Sequence, residues 1–98
     1  MYARVIQVSL QPDALEKATA YFRDSVGPAL KTLDGFKNSR FLTNSSTNKC
    51  LMVTLWESEE ARHNAETNGF LQNVLAEMKG YFAGAPVIDY YAVAVQVV

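Results

Sequence analysis

Four side chains are the clearest candidates for chemistry, because each differs in type from the residues around it: Trp56, His63, Gln7 and Arg40. The imidazole of His63 could act as a general base, since its ordinary pKa is about 6.5. Its polar surroundings, RHNAETN, equally favour a surface position. Gln7 and Arg40 interrupt mostly apolar segments, where a polar group that faces a buried space needs a backbone or ligand partner. Trp56 is a large aromatic at the end of a predicted strand, where the residue type alone favours a core position with a partner for its N–H.

Several other kinds of reaction site lack their sequence motifs. The chain has no Gly-rich phosphate loop, no metal-ligand cluster and no Ser-His-Asp spacing, so we predict no cofactor and no metal. Cys50 is the only cysteine, which excludes an intrachain disulfide, and its mid-strand position predicts an inert core thiol. The net charge of −1, with no basic run, predicts that nucleic acid is not a partner.

The length and hydropathy of the chain indicate its class. Its 98 residues suit a single domain, 1–98. No apolar run reaches the roughly 18 residues of a membrane span, and the start MYARVIQVSL lacks the pattern of a signal peptide. We therefore expect a cytoplasmic protein with no membrane partner.

The elements that must position the candidate residues follow from periodicity. Alternation and β-branched content predict four strands, at 2–10, 36–44, 49–57 and 86–98. Apolar residues at spacings of three and four predict a first helix that an Asp13–Glu16 capping box starts, Gly27-Pro28 kinks and Asp34-Gly35 ends. A second helix begins at the cap Ser58, breaks at Asn68-Gly69 and resumes through 70–82.

This order, β-α-β-β-α-β, predicts an α+β ferredoxin-like fold, in which both helices cover one face of a four-stranded antiparallel sheet. The third strand carries apolar residues on both sides, with Met52 and Trp56 on one and Leu51 and Val53 on the other. Something must therefore cover the second face. We predict a homodimer that packs sheet against sheet around a two-fold axis.

Three short motifs, "VGPAL", "LDGF" and "LWESEEA", together with the element order, resemble the antibiotic-biosynthesis-monooxygenase-like proteins of the dimeric α+β barrel superfamily. The resemblance implies either a cofactor-independent monooxygenase of aromatic polyketides or quinols, or a heme-degrading monooxygenase. It also implies a pocket between the sheet and the helices of each subunit.

Carried over residue by residue, the resemblance places Trp56 with the third-strand tryptophan of the oxygenase branches. Gln7 is the position nearest to the first-strand asparagine of the heme-degrading branch. The stretch FLQNVL lacks the histidine with which that branch binds iron, so we predict no heme. The resemblance puts Trp56 in the pocket wall. Trp56, Gln7 and His63 are the candidate catalytic residues, with His63 named for its residue type, since it is not equivalent to the histidine of the heme-degrading branch. The candidate contacts to a small aromatic ligand are Arg40, Phe22, Phe70, Val74 and Met78.

Two hypotheses remain open at this point: a cofactor-free monooxygenase, and a non-catalytic ligand-binding or stress-associated homodimer of the same fold. A polar, open cavity at Gln7, Trp56 and Arg40 would favour the enzyme. A pocket filled by side chains such as Phe22 and Met78 would favour the second hypothesis.

Overall fold

The computed structural model describes residues 1–98, and its centre is a four-stranded antiparallel sheet in the order β2-β3-β1-β4. Each strand of the predicted set is present. The central strand β1 pairs along its length with β3 and, on its other side, with β4. The strands are β1 (Tyr2–Ser9), β2 (Phe36–Asn44), β3 (Lys49–Trp56) and β4 (Val87–Ala92).

The helical segments lie against one face of this sheet, as predicted. They are α1 (Leu15–Tyr21), a π-helical turn (Phe22–Val26), α2 (Gly27–Leu30), α3 (Glu59–Thr67), α4 (Phe70–Met78) and a 3₁₀ turn (Lys79–Tyr81). Alternate residues of β1 and β3, among them Ile6, Val8 and Met52, are buried with the inward faces of the helices. One layer of helices on one sheet therefore encloses a single core.

The first helical region is continuous but distorted where the kink was predicted. The chain stays helical from Leu15 to Leu30, and the π-helical turn lies directly before Pro28. Proline lacks an amide N–H and its ring clashes with the carbonyl four residues back, so a wider turn relieves the conflict. The amide of Gly27 donates to the carbonyl of Phe22, five residues earlier.

Two details of this region differ from prediction. The Asp13–Glu16 capping box is absent: Asp13 has φ +68°, and no side chain caps α1. The chain here is positioned by long-range backbone bonds instead, since the amide of Gln11 donates to the carbonyl of Tyr81 at 2.8 Å. The helix also ends at Leu30 instead of Asp34, and Gly35 has φ +76° in the turn before β2.

The second helical region follows the prediction closely. The amide of Ala61 donates to Ser58 Oγ at 3.1 Å, which confirms Ser58 as the cap of α3. Gly69, with φ +89°, separates α3 from α4. No helix is long and apolar enough to cross a membrane.

The last strand is shorter than predicted. β4 ends at Ala92, which pairs with Tyr2 at the start of β1, so beyond this point there is no partner strand. The amide of Val93 still donates to the carbonyl of Met1 at 2.9 Å, but residues 94–98 lie outside the sheet and are exposed. The sheet face opposite the helices, here called the open face, carries apolar residues that the chain leaves half-buried or exposed: Val53, Leu55, Leu51, Leu42, Val87 and Tyr91.

Candidate functional site

Trp56 lies at the end of β3, on the helix-covered side of the sheet. Its side chain has no accessible surface. The indole Nε1 donates to Thr54 Oγ1 at 3.0 Å, which satisfies the one polar group of the ring. The ring of Phe36 meets it edge-on, with centroids 5.6 Å apart. Trp56 is therefore a rigid aromatic wall fixed by both apolar and polar contacts.

The guanidinium of Arg4 lies beside this wall, 5.7 Å from the centroid of the Trp56 ring. Arg4 is only 2% exposed, because strand pairing places it between Thr54 on β3 and Tyr90 on β4. Its Nη1 donates to Glu66 Oε1 over a long 3.5 Å, and its Nε has no hydrogen-bond partner. Burial lowers the pKa of Arg4, and the carboxylate of Glu66 opposes that effect.

Glu66, on α3, joins this arginine to a second one. Arg62 Nη1 donates to Glu66 Oε1 at 3.0 Å, and the hydroxyl of Tyr90 donates to Oε2 at 3.1 Å. The Arg62 guanidinium also covers the Tyr90 ring at 4.3 Å. One carboxylate thus serves two guanidinium groups. We call Arg4, Arg62, Glu66 and Tyr90 the arginine cluster.

The arginine cluster can stabilise negative charge. The only other carboxylate beside it, Glu59, stands 3.9 Å from Arg62 Nη2 and is 70% exposed, so water screens it. Within the buried part of the cluster the two arginines outnumber the single carboxylate of Glu66. A buried cation with an unused donor, next to an aromatic face, is suited to hold an anionic oxygen on a ring-bearing molecule.

The space around Trp56 is filled by side chains. Phe22 and Met78 are buried in the same core, and Phe70 and Val74 pack against it half-buried. A side chain with no accessible surface has no water-sized space beside it. All four apolar candidates for ligand contact lie on the side of the sheet that carries Trp56.

The polar candidates lie elsewhere. Side chains alternate across a strand, so Gln7 points away from the helices, where it lines a surface cavity of about 210 Å³. Arg40 is exposed on the same open face, in a cavity of about 630 Å³ that the end of the chain also lines. His63 is exposed on the outer side of α3. Neither Gln7 nor Arg40 converges on Trp56, so the polar cavity that would favour the enzyme hypothesis is absent.

Sequence reasoning missed Arg4, Arg62 and Glu66. The available signal was the position of Arg4 on the same side of β1 as Ile6 and Val8, which marks a charge on the core-facing side. Cys50 fits the inert-thiol prediction, because its burial raises the pKa of the thiol to about 11. No three His, Cys, Asp or Glu side chains lie close enough together to hold a metal ion.

Comparison with known proteins decides the family. The model of the family described as "Antibiotic biosynthesis monooxygenase" matches residues 1–81. This chain belongs to that family. The uncharacterised protein Rv2557 of Mycobacterium tuberculosis is 30% identical over 95 residues, which cover 96% of this chain and 41% of that protein. The chain thus spans about two fifths of the length of the curated relatives it matches.

Two solved structures show that the family fold is shared. SnoaB, a cofactor-independent oxygenase from Streptomyces nogalater, superimposes with a TM-score of 0.80 at 13% identity, covering 98% of this chain and 95% of that one. The ActVA-Orf6 monooxygenase of Streptomyces coelicolor, solved with nanaomycin D, gives 0.77 at 15% identity, covering 99% and 90%. At these identities the likeness establishes the ferredoxin-like α+β fold.

Proposed function

We propose that this protein is a cofactor-independent monooxygenase that oxidises a small, electron-rich aromatic substrate such as a quinol, a phenol or an anthrone. The observation that carries the proposal is the pairing of Trp56 with the buried Arg4 guanidinium, 5.7 Å from its ring, between sheet and helices. Membership of the monooxygenase family supports it, as do neighbours that include a cofactor-independent oxygenase.

The chemistry needs few protein groups. Deprotonation of the substrate gives an electron-rich anion, which supplies the electrons that reduce dioxygen. Oxidation of a ring CH₂ group to a carbonyl takes up one O₂ and releases one water. Trp56 would hold the ring and exclude water, and the positive charge of Arg4 would favour the anion over its neutral acid. No general base is assigned, because His63 is exposed on the outer side of α3, and the carboxamide of Gln7 is not basic and lies across the sheet.

Two observations favour the alternative, a non-catalytic ligand-binding or stress-associated homodimer of the same fold. The first is that no polar cavity joins Gln7, Arg40 and Trp56. The second is that side chains fill the space around Trp56. Trp56 has no accessible surface, and Phe22 and Met78 help to fill the region where a substrate would bind. An active enzyme must therefore open this region, by moving side chains of the helical layer, before the substrate can contact Trp56. A non-catalytic protein needs no such opening.

Oxygen uptake separates the two candidates. Purified protein is mixed with a panel of quinols and anthrones in the presence of a metal chelator, and dissolved oxygen is followed with an electrode. The enzyme hypothesis predicts uptake that Trp56→Phe reduces about tenfold, the equivalent of roughly 1.4 kcal/mol. Tyr91→Phe, an aromatic change on the open face, is the matched control and should leave the rate unchanged. Absence of uptake across the panel would favour the non-catalytic protein.

We also propose that the protein forms a homodimer through its open face. Leu42 is 48% exposed, Val87 57% and Tyr91 55%, which together leave a large apolar surface in contact with water. A second copy related by a two-fold axis would cover the same surface on both subunits. Sedimentation equilibrium at micromolar concentration should give about twice the chain mass. Leu42→Glu should shift the protein to monomer, whereas Lys31→Glu, on the helical side, should not. A well-folded monomer of the parent chain would contradict this proposal.

A further inference from the structure

We propose that Arg4 is the anion-binding residue of the interior site, and that it selects the ionised form of an acidic phenol. This inference rests on the proposed function for the place where the ligand binds, beside Trp56. It adds the chemical class of the anion, a phenolate, and the atom that binds it, the Nε of Arg4.

The charge of the Arg4 guanidinium is only partly balanced by its neighbours. Arg4 is 2% exposed, and its only charged hydrogen-bond partner, Glu66, is shared with Arg62 at the shorter distance of 3.0 Å. The carboxylate also accepts a bond from the Tyr90 hydroxyl. Buried charges in proteins are normally paired. The charge of Arg4 is paired only with the Glu66 carboxylate, which lies 3.5 Å away and is shared with Arg62. An anionic oxygen would complete the balance.

The Nε–H of Arg4 is an unused hydrogen-bond donor. Arg4 Nε is buried and has no hydrogen-bond partner, whereas nearly all buried donors in native proteins have one. None of the polar groups around it forms a hydrogen bond with Nε, and Thr54 Oγ1 accepts from Trp56 Nε1 instead. An acceptor that reaches Arg4 Nε must therefore come from outside this set of residues.

The side chains around the Arg4 guanidinium indicate the chemical class of the ligand. The walls beside the guanidinium are aromatic and apolar, with Trp56 at 5.7 Å and Ile6 on the same side of β1. Such walls favour a flat ring over a small hydrated ion such as phosphate. A single unused N–H next to a ring-sized apolar wall fits a phenolate, which presents one anionic oxygen attached directly to its ring.

The test uses 4-nitrophenol, whose ionised form is yellow, so that its protonation state can be read while it is bound. The parent protein should lower the apparent pKa of bound nitrophenol by about one unit, which is about tenfold tighter binding of the anion than of the neutral form. In Arg4→Met this shift should disappear, while binding of 4-nitroanisole, a neutral analogue, should stay the same. Arg40→Met, on the open face, is the matched control and should keep the full shift.

A purely structural role for Arg4 would weaken both probes equally, so the ratio of anion to neutral binding distinguishes the two roles. Arg4→Lys, which keeps the charge but lacks Nε, should retain only part of the shift. The emission of the single, buried tryptophan verifies that each variant is folded. An unchanged nitrophenol shift in Arg4→Met would overturn the inference, as would failure of the parent protein to bind nitrophenolate.

The outcomes for the two proposals are separable. Arg4-dependent binding of nitrophenolate without oxygen uptake on any quinol or anthrone would support this inference and contradict the monooxygenase proposal. Oxygen uptake that is unaltered in Arg4→Met would support the monooxygenase and contradict a role for Arg4.

Discussion

Replacement of Arg4 by methionine should leave the protein as stable as the parent or slightly more stable. The change removes a buried charge whose desolvation costs several kcal/mol and whose one hydrogen bond, to Glu66, is 3.5 Å long. Glu66 stays paired, because Arg62 at 3.0 Å and Tyr90 at 3.1 Å remain in place. Replacement of a whole buried ion pair by apolar residues of similar volume is often neutral or stabilising by about 1–4 kcal/mol, and removal of one member is costly only when it leaves the other charge uncompensated. We expect a gain of about 0–2 kcal/mol in the free energy of unfolding.

Glu66→Gln should have the opposite effect. It removes the negative charge that Arg4 and Arg62 share and leaves two guanidinium groups near each other without a buried counter-charge. Breaking a buried pair from one side costs about 3–5 kcal/mol. Because the Glu66 side chain is 16% exposed, we expect the lower end of that range, about 3 kcal/mol, or a Tm lower by roughly 12–24 °C.

Urea unfolding, followed by the fluorescence of Trp56, measures both variants with the parent at one protein concentration, because dimer formation would make stability depend on concentration. A loss of more than about 2 kcal/mol in Arg4→Met would refute the reasoning. It would mean that Arg4 is a net structural contributor, and that its buried charge is compensated by contacts other than Glu66.

Three further predictions concern stability elsewhere in the chain. Burial raises the pKa of the Cys50 thiol from 9.0 to about 11, so the unfolded chain loses its thiol proton first. Stability should be nearly unaffected below pH 9 and fall by about 2 kcal/mol by pH 11. Urea unfolding of Cys50→Ala should show a correspondingly smaller fall. Ser58→Ala removes the cap of α3 and should cost about 1 kcal/mol in thermal unfolding, with loss below about 0.3 kcal/mol contradicting the cap's contribution. Gly35→Ala should be strongly destabilising, because Gly35 has φ +76° and an added Cβ would collide with the Cβ of Ala61, whereas Gly80→Ala meets open space and should melt like the parent.

The fold was largely predictable because its signals are local. Alternation identified all four strands, and it also assigned Met52 and Trp56 to one face of β3 and Val53 to the other. Ser58 was recognised as a cap because a cap depends on residues only three positions away. Periodicity and capping are set by neighbouring residues, so they can be predicted from the sequence wherever no distant contact overrides them.

The errors arise where long-range contacts decide. Strand β4 was predicted to reach Val98, but its partner β1 begins at Tyr2, and a strand without a neighbour cannot continue the ladder. The predicted capping box at Asp13 does not form. The backbone hydrogen bond from Gln11 to Tyr81 positions the chain before α1, and Asp13 has a positive φ there. The sequence pattern alone shows neither where a partner strand ends nor which distant backbone groups bond to each other.

The candidate site was predicted less well, for the same reason. Trp56 lies between sheet and helices, where the resemblance implies a pocket, but Gln7 and Arg40 were grouped with it although strand alternation puts them on the other face. Arg4 was missed because its partner Glu66 is 62 residues away. Only the folded chain shows that these two charges meet beside the tryptophan.

The most direct test of the central claim is the oxygen stoichiometry of a single reaction. Metal-free, chelator-treated protein is given an anthrone or quinol from the panel, and oxygen consumed and product formed are measured together. A cofactor-independent monooxygenase should consume one O₂ for each substrate molecule oxidised, with no added cofactor. The rate should fall about tenfold in Trp56→Phe but not in Tyr91→Phe. Oxygen uptake that requires an added metal or reductant, or no uptake with any substrate, would contradict the monooxygenase proposal.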